Sequence, residues 1–170
     1  MQQQIHVQIT SYENCEKKIM LEIANNAYEF YMEFNAENNC YIQDELEQFT
    51  EFHDQQQIIQ HDDSYGCRLF VLTINDSLAG VIRVNIQFAY ISHLYVVPNY
   101  RRKGIGKMLL DYVEKILTER GFKKVDIIVY DAGYQLLKHA GYIITKSAFS
   151  VGSGIQHTAY KNLVECIELC

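Results

Sequence analysis

The stretch that decides the fold is Asn99–Tyr112, which reads NYRRKGIGKMLLDY. Two arginines and a lysine run into two glycines one residue apart, Gly104 and Gly106, and a helical pattern begins there. Glycines at a strand-to-helix turn have no side chain to block the approach of an anion. Successive N–H groups at the positive end of the helix dipole can therefore bind phosphate oxygens. The stretch therefore predicts either an anion-binding turn or a tight turn with solvated cations.

Two common nucleotide-binding motifs do not fit this turn. A Walker loop needs a glycine five residues before Gly106 and a serine or threonine after the lysine, whereas this chain has Arg101 and Met108 there. A dinucleotide fingerprint needs a third glycine, and Leu109 stands at its position. The spacing thus excludes the ATP and NAD motifs and leaves either a cradle for a pyrophosphate group or the tight turn with solvated cations.

The segments on both sides of the turn predict a βαβ unit. A β-rich run, 88–97, ends at Pro98, and the amphipathic helix after the glycines ends at Gly121 as its C-terminal cap. A short, nearly continuous apolar run, 125–130, is typical of a strand buried on both faces. Because a crossover helix joins parallel strands, these two strands should be neighbours in one sheet.

The rest of the chain predicts further elements in the order βααβββαβαββ. A capping box, Thr10-x-x-Glu13, should start the first helix, whose apolar residues recur from Ile19 to Phe34. The predicted fold is a mixed α+β (α/β) architecture, with a central mixed, largely antiparallel sheet of about seven strands and helices on both faces. The remaining predicted elements are strands at 5–10, 68–74, 78–85, 142–151 and 156–164, and helices within 42–57 and at about 132–139.

Composition predicts a single domain that spans residues 1–170. Of the 170 residues 48% are hydrophobic, and neither a linker nor an internal repeat marks a boundary. The 15 basic and 21 acidic side chains give a formal charge of −6, which argues against nucleic acid or an anionic membrane as a partner. The five cysteines form no CxxC pair, so we expect no metal. Because the first residues are polar and no stretch approaches about 18 uninterrupted apolar residues, we expect a cytoplasmic protein.

The turn and its setting resemble a known family. The pattern Arg101-x-x-Gly104-x-Gly106, between the strand that ends at Pro98 and an amphipathic helix, resembles motif A of the GCN5-related N-acetyltransferases (GNAT), in which Q/R-x-x-G-x-G/A holds the pyrophosphate of acetyl-CoA. The segment Lys138–Tyr142 resembles the family's closing GF segment, with tyrosine in place of phenylalanine. The resemblance is close from about residue 69 to residue 142 and implies a GNAT-like fold.

This resemblance implies the activity and the co-substrate. The expected enzyme is an N-acetyltransferase that transfers an acetyl group from acetyl-CoA (coenzyme A as carrier) to a primary amine of a small molecule or peptide. A non-catalytic acyl-CoA-binding or sensor domain is the alternative, because this chain departs from the family pattern at one catalytic position. The residues that the resemblance assigns to the pyrophosphate are Arg101, Arg102, Lys103, Gly104, Ile105, Gly106 and Lys107.

In the family, the strand that ends at motif A carries a bulge and splays from its parallel neighbour. The pantetheine arm of acetyl-CoA lies in the gap and hydrogen-bonds to the first strand like an added strand. By resemblance, Tyr95, Val96 and Val97 are the backbone partners of that arm. The N–H of Leu94 or of Tyr95 would stabilise the thioester oxygen as it becomes an oxyanion.

The resemblance also implies direct attack by an amine, which must first lose a proton. An alkyl ammonium with a pKa near 10 is neutral in only about one part in a thousand at pH 7, so a base or a water chain must take that proton. Family members use a Glu or His on the strand before motif A, where this chain has His93 and Ser92, with Tyr90 further back. Strand alternation puts His93 on the opposite face from Ser92 and Tyr90, unless a β-bulge shifts the register.

The group that protonates the leaving thiolate is where the chain departs from the family. The family's tyrosine stands four residues before the glycine of the GF segment, and this chain has Leu137 there. Tyr134 lies one turn earlier on about the same helix face. Either Tyr134 or water would therefore supply the proton.

By resemblance, the acceptor pocket is formed largely by the first two helices and the hairpin of the last two strands. Acidic and aromatic residues there suit a cationic amine, although a solvated helix face explains the same carboxylates. We expect Tyr28, Tyr31 and Tyr90 to bind the substrate, and the sequence is compatible with a monomer or a homodimer. The other pocket candidates are Glu33, Glu37, Asp44, Glu45, Glu47, His157 and Tyr160.

Overall fold

A computed structural model describes residues 5–23, 66–150 and 154–164, and seven strands in these ranges form one sheet. The strand order is β1-β2-β3-β4-β5-β7-β6, and every pair of neighbours is antiparallel except β4 and β5. This confirms the mixed, largely antiparallel sheet and the parallel βαβ unit. The strands are β1 (Val7–Ser11), β2 (Cys67–Ile74), β3 (Ser77–Asn85), β4 (Tyr90–Val96), β5 (Lys124–Tyr130), β6 (Ile143–Ser150) and β7 (Gly154–Asn162).

Helices cover both faces of this sheet, as predicted. Helix α1, of which residues 17–23 are described, packs Ile19 against Val71 and Leu78 on one face. Helix α2 (Ile105–Glu119) and helix α3 (Asp131–His139) contribute to a larger core on the other face. Its fully buried members, each contributing about 1.5–3 kcal/mol by leaving water, include Leu72, Ile82, Val84, Leu109, Val113, Leu117, Ile127 and Leu137.

The start of the first helix differs from the prediction. Thr10 is not a helix cap but part of β1, where it lies opposite Val71 in the antiparallel register. A short 3-10 turn, Tyr12–Asn14, follows, and the Glu16 carbonyl accepts the first helical hydrogen bonds from Ile19 and Met20. The capping-box prediction is wrong because sheet pairing holds the chain extended past Thr10. The predicted helix at 42–57 and the predicted substrate residues Tyr28 and Tyr31 lie outside the described residues.

The ends of the other described strands and helices fall within about two residues of the predicted ends. Strand β4 begins at Tyr90 rather than at 88, because Ala89 has a left-handed φ of 50° and Asn85 accepts hydrogen bonds from the N–H groups of Gln87 and Phe88. Phe88 itself is 74% exposed at this turn. Gly121 ends α2 with a φ of 86°, which confirms it as the predicted cap.

A half-buried ion pair joins α2 to β7. Lys161 Nζ lies 2.6 Å from Glu114 Oε2, with the two side chains 25% and 12% exposed. The same ammonium lies 5.6 Å from the centroid of the Tyr142 ring. Burial and then the Glu114 carboxylate raise the pKa of Tyr142 well above its ordinary value, so this phenol stays neutral.

We expect Lys161→Met to lower the free energy of unfolding by about 2 kcal/mol, because it leaves the Glu114 carboxylate largely buried without its cation. The matched control is Lys115→Met, which removes a pair that is 3.9 Å long and has side chains 77% and 63% exposed. That control should change stability by less than about 0.5 kcal/mol. Urea denaturation of both variants measures the difference, and equal effects would contradict the assigned role of the pair.

Candidate functional site

Strands β4 and β5 pair only at their beginnings and then separate. The register pairs Tyr90 with Asp126 and Ile91 with Ile127, although β4 continues to Val96 and β5 to Tyr130. The ends of two parallel strands thus leave a wedge between residues 92–96 and 128–130, which we call the cleft. Because β4 runs into the turn before α2, the cleft opens at the N-terminus of that helix.

A β-bulge at Ser92 accounts for the separation. On the β3 side, Arg83 lies opposite His93 and Val84 lies opposite Ile91, so Ser92 is the additional residue of β4. A bulge bends its strand and increases the local twist, which turns the rest of β4 away from β5. The Ser92 hydroxyl lies 3.5 Å from the Arg83 carbonyl oxygen and 3.1 Å from His93 Nδ1.

The bulge also decides which face His93 occupies. Directly opposite residues of an antiparallel pair share a face. Tyr90 lies opposite Asn85, and His93 lies opposite Arg83, which is two residues from Asn85 along β3. His93 and Tyr90 therefore share a face, whereas simple alternation along β4 would have separated them. His93 is exposed there, and Tyr90 and Ser92 are half-buried.

The backbone of β4 offers alternate groups to the cleft. Val97 donates its N–H to the Ala79 carbonyl over 3.0 Å, and its own carbonyl accepts from Tyr100 N–H over 2.8 Å. Since neighbouring residues of a strand point these groups to opposite sides, those of Tyr95 also face β3, and those of Leu94 and Val96 face the cleft. Of the three predicted backbone partners, Tyr95 and Val97 therefore turn these groups away from the cleft. Leu94 and Val96 are the suitable pair.

The turn between β4 and α2 has the predicted strand-turn-helix form. After a 3-10 turn at Pro98–Tyr100, Arg102 and Gly104 adopt left-handed φ values of 62° and 83°. Gly104 is the N-cap residue and has no side chain to accept hydrogen bonds from the first turn of α2. Met108 makes the hydrogen bond back to the Gly104 carbonyl at 3.0 Å, so the preceding N–H groups are not used inside the helix. These groups belong to Ile105, Gly106 and Lys107.

The two glycines of the motif are required for different reasons. A Cβ at Gly104 would meet nothing within 4 Å, so this residue is needed for its left-handed φ. A Cβ at Gly106 would lie 2.7 Å from Leu136 Cδ2 and 3.7 Å from Val96 Cγ2. Gly106 therefore lets α3 approach α2 closely, which is a packing role that the sequence did not indicate.

The cations of the turn differ in what they contact. Arg101 Nε lies 3.0 Å from the Val96 carbonyl oxygen, and Lys103 Nζ lies 5.6 Å from the centroid of the Tyr100 ring. Lys107 pairs with Asp111 one turn along α2, and this hydrogen bond raises the pKa of the lysine. All four cations are exposed. No pattern in the sequence indicated the contact between Arg101 and β4.

Helix α3 presents leucines, rather than a tyrosine, to the neighbouring core and α2. Leu137, at the position of the family's tyrosine, is fully buried, and Leu136 faces Gly106. Tyr134 lies one turn before Leu137 and on the opposite side of α3 from Leu136, with its ring centroid 4.7 Å from that of His157 on β7. Tyr134 thus does not share the side of α3 that carries Leu136.

Two candidates for the acceptor pocket lie on opposite faces of β7. His157 is buried beneath α3, and its Nδ1 lies 2.7 Å from the Ser147 hydroxyl. Tyr160 lies opposite Asp126 on the other face, with Lys124 Nζ 5.2 Å from its ring centroid. Of the two, Tyr160 shares the face of Tyr90, since Asp126 lies opposite both of them.

In ranges 5–23, 66–150 and 154–164, no three His, Cys, Asp or Glu side chains are grouped as they would be around a metal ion. None of the helices in this part of the chain combines the length and the apolar character needed to cross a membrane.

We expect Gly106→Ala to lower the free energy of unfolding by about 1 kcal/mol, although alanine is the better helix former, because its methyl group would press on Leu136. In a Leu136→Ala background this cost should disappear. Urea denaturation of the two single variants and the double variant measures the coupling. The same cost in both backgrounds would show that the contact does not constrain position 106.

Comparison with known proteins identifies similar sequences. A family model described as an acetyltransferase (GNAT) domain matches residues 37–164. An uncharacterized N-acetyltransferase of Chlorobaculum tepidum is 33% identical over 57 residues, which are 34% of this chain and 36% of that protein. The similarity thus spans about a third of the length of this curated relative.

Solved structures share the fold over nearly the whole chain. A GCN5-related N-acetyltransferase (aminotransferase, class-II) from Rhodopseudomonas palustris superposes with a TM-score of 0.69 at 18% identity, over 92% of this chain and 95% of that one. The PaiA N-acetyltransferase of Thermoplasma acidophilum, in complex with coenzyme A, has a TM-score of 0.68 at 19% identity, over 94% and 99%. At these identities the likeness is one of fold.

Proposed function

Because the chain belongs to the GNAT acetyltransferase family, we propose that it transfers an acetyl group from acetyl-CoA to a primary amine of a small molecule or peptide. The observation that carries the proposal is the cleft between β4 and β5, which opens at the glycine-capped N-terminus of α2. A strand edge for an extended arm and a helix terminus for a pyrophosphate then lie end to end. The coenzyme A in the PaiA relative supports this choice of carrier.

In this proposal the pyrophosphate binds the first-turn N–H groups of α2, and the pantetheine arm lies along β4. The backbone groups of Leu94 and Val96 pair with the arm, since they face the cleft. Acetyl-CoA supplies a thioester whose carbonyl carbon accepts the amine. As the C–N bond forms, the thioester oxygen becomes an oxyanion that the Leu94 N–H can stabilise, and the C–S bond then breaks to release coenzyme A.

His93 is the proposed base for the amine. It is exposed on the face shared with Tyr90, next to the point where β4 leaves β5. If the Ser92 hydroxyl donates to the Arg83 carbonyl, it accepts from His93 Nδ1–H, and the lone pair then lies on Nε2. A histidine in that tautomer can take the proton of an ammonium as the amine attacks.

For the leaving thiolate, the surroundings of α3 favour water over Tyr134 as the proton source. The Tyr134 ring packs on His157 of β7, and Leu136 occupies the side of α3 that faces Gly106. An ordinary thiol has a pKa of about 8.5, so the thiolate can leave without a proton and take one from water once it has been released.

The decisive test is titration calorimetry with acetyl-CoA, followed by thiol release over a panel of primary amines. We expect binding, and turnover that depends on the amine and yields one amide per thiol. Binding without turnover on any amine would favour the alternative, a non-catalytic acyl-CoA sensor. The observation that favours this alternative is Leu137, which stands in place of the family's tyrosine. A lack of acetyl-CoA binding would contradict both functions.

His93→Gln should lower kcat/KM at pH 7 by about a hundredfold and remove the acidic limb of the pH profile, because the base no longer titrates. In the wild type, activity should rise with pH as the imidazole loses its proton. The control His6→Gln changes an exposed histidine before β1 and should leave both quantities unchanged. An unaltered acidic limb in His93→Gln would assign the proton to another group.

Tyr134→Phe should retain kcat within about twofold and keep the alkaline limb of the pH profile, because the ring contact with His157 does not need the hydroxyl. Steady-state rates from pH 6 to 10 measure this. A loss of about a hundredfold together with a shifted alkaline limb would instead make Tyr134 the general acid.

A further inference from the structure

We propose that Arg101 is a positioning residue for the donor, acetyl-CoA. Its side chain hydrogen-bonds to the Val96 carbonyl beyond the point where β4 pairs with β5, and this bond fixes the edge of β4 along which the pantetheine arm would lie. This inference rests on the proposed function, since it concerns how the same cleft receives acetyl-CoA. It gives Arg101 a second role beside the expected contact with pyrophosphate.

The contact replaces a hydrogen bond that the sheet has lost. The last register pair between β4 and β5 is Ile91 with Ile127, so the cleft-facing groups of Val96 lie beyond the pairing. Arg101 Nε donates to the Val96 oxygen over 3.0 Å. A hydrogen bond from a charged donor is stronger than one between neutral groups, so this single bond can fix the direction of the strand end.

The preceding turn brings the guanidinium back to the strand. Tyr100 N–H donates to the Val97 carbonyl, and Arg101 N–H donates to the Pro98 carbonyl over 3.1 Å, which reverses the chain within the 3-10 turn. The guanidinium carbon then lies 5.9 Å from the centroid of the buried Tyr95 ring. A planar guanidinium can stack on a ring and donate from a fixed Nε at once, which a lysine cannot do.

The two roles of Arg101 differ in the part of the donor that they affect. A guanidinium has five N–H donors, so the bond from Nε does not prevent a contact with pyrophosphate through another nitrogen. A pyrophosphate contact matters only for ligands that carry the pyrophosphate. A positioned strand edge matters for every ligand that carries the pantetheine arm.

Acetyl-pantetheine, which has the arm and the thioester but no pyrophosphate, separates these roles. Dissociation constants for acetyl-CoA and acetyl-pantetheine are measured by NMR titration of the wild type, Arg101→Ala and the control Lys103→Ala. Lys103 belongs to the same turn but lies against the Tyr100 ring. We expect Arg101→Ala to weaken both ligands, each by about tenfold, and Lys103→Ala to weaken acetyl-CoA alone.

The ligand-free protein gives an independent readout. The carbonyl ¹³C shift of Val96 should move in Arg101→Ala and stay in place in Lys103→Ala, because only the first change removes the hydrogen bond. If Arg101→Ala does not fold, Arg101→Lys serves instead, since it keeps the charge but has no planar donor at Nε. It should show the same loss of affinity for acetyl-pantetheine.

The outcomes distinguish this inference from the function on which it rests. If Arg101→Ala weakens acetyl-CoA alone, as Lys103→Ala should, the positioning role is overturned and the proposed function stands. If the wild type binds neither ligand, the proposed function is overturned and this inference with it.

Discussion

A strand that leaves its neighbour must satisfy its backbone groups in another way, and this constraint organises the site. Strand β4 pairs with β3 along its length but with β5 at only two positions, so its second half has one edge bonded and one edge exposed to the cleft. Unpaired N–H and C=O groups at an edge favour any extended chain that can bond to them. In this protein the exposed edge is short, is bent by a bulge and ends at a helix terminus. The proposed occupant, an arm with an anionic end, fits an edge of this kind.

The N-terminus of α2, where an anion would bind, depends on close packing as much as on charge. Gly104 turns the chain with a left-handed φ, and Gly106 lets Leu136 of α3 lie against the start of α2. A second helix thus supports the helix terminus that would bind the pyrophosphate. Support of this kind keeps the N–H groups of the first turn in fixed directions, so that less conformational entropy is lost on binding.

Local sequence predicted what local interactions determine. Helix α2 was predicted correctly because its apolar residues recur with helical periodicity and Gly121 ends it. The run at 125–130 was predicted correctly as the parallel partner of β4, because a crossover helix joins parallel strands. Thr10 was predicted wrongly because sheet pairing with Val71 outweighs its tendency to cap a helix. The roles of Val97 and Arg101 depend on hydrogen-bond directions, and the contact of Tyr134 with His157 joins residues 23 positions apart. No sequence pattern records such contacts.

The bulge at Ser92 has a consequence for how this strand can change over evolutionary time. Ser92 is the additional residue of β4, so its deletion would restore a regular ladder with β3 and remove the bend that opens the cleft. A substitution there alters one side chain, whereas the loss of Ser92 would leave His93 opposite Arg83 and remove the bulge itself. We therefore expect related chains to vary in this segment by replacement rather than by insertion or deletion.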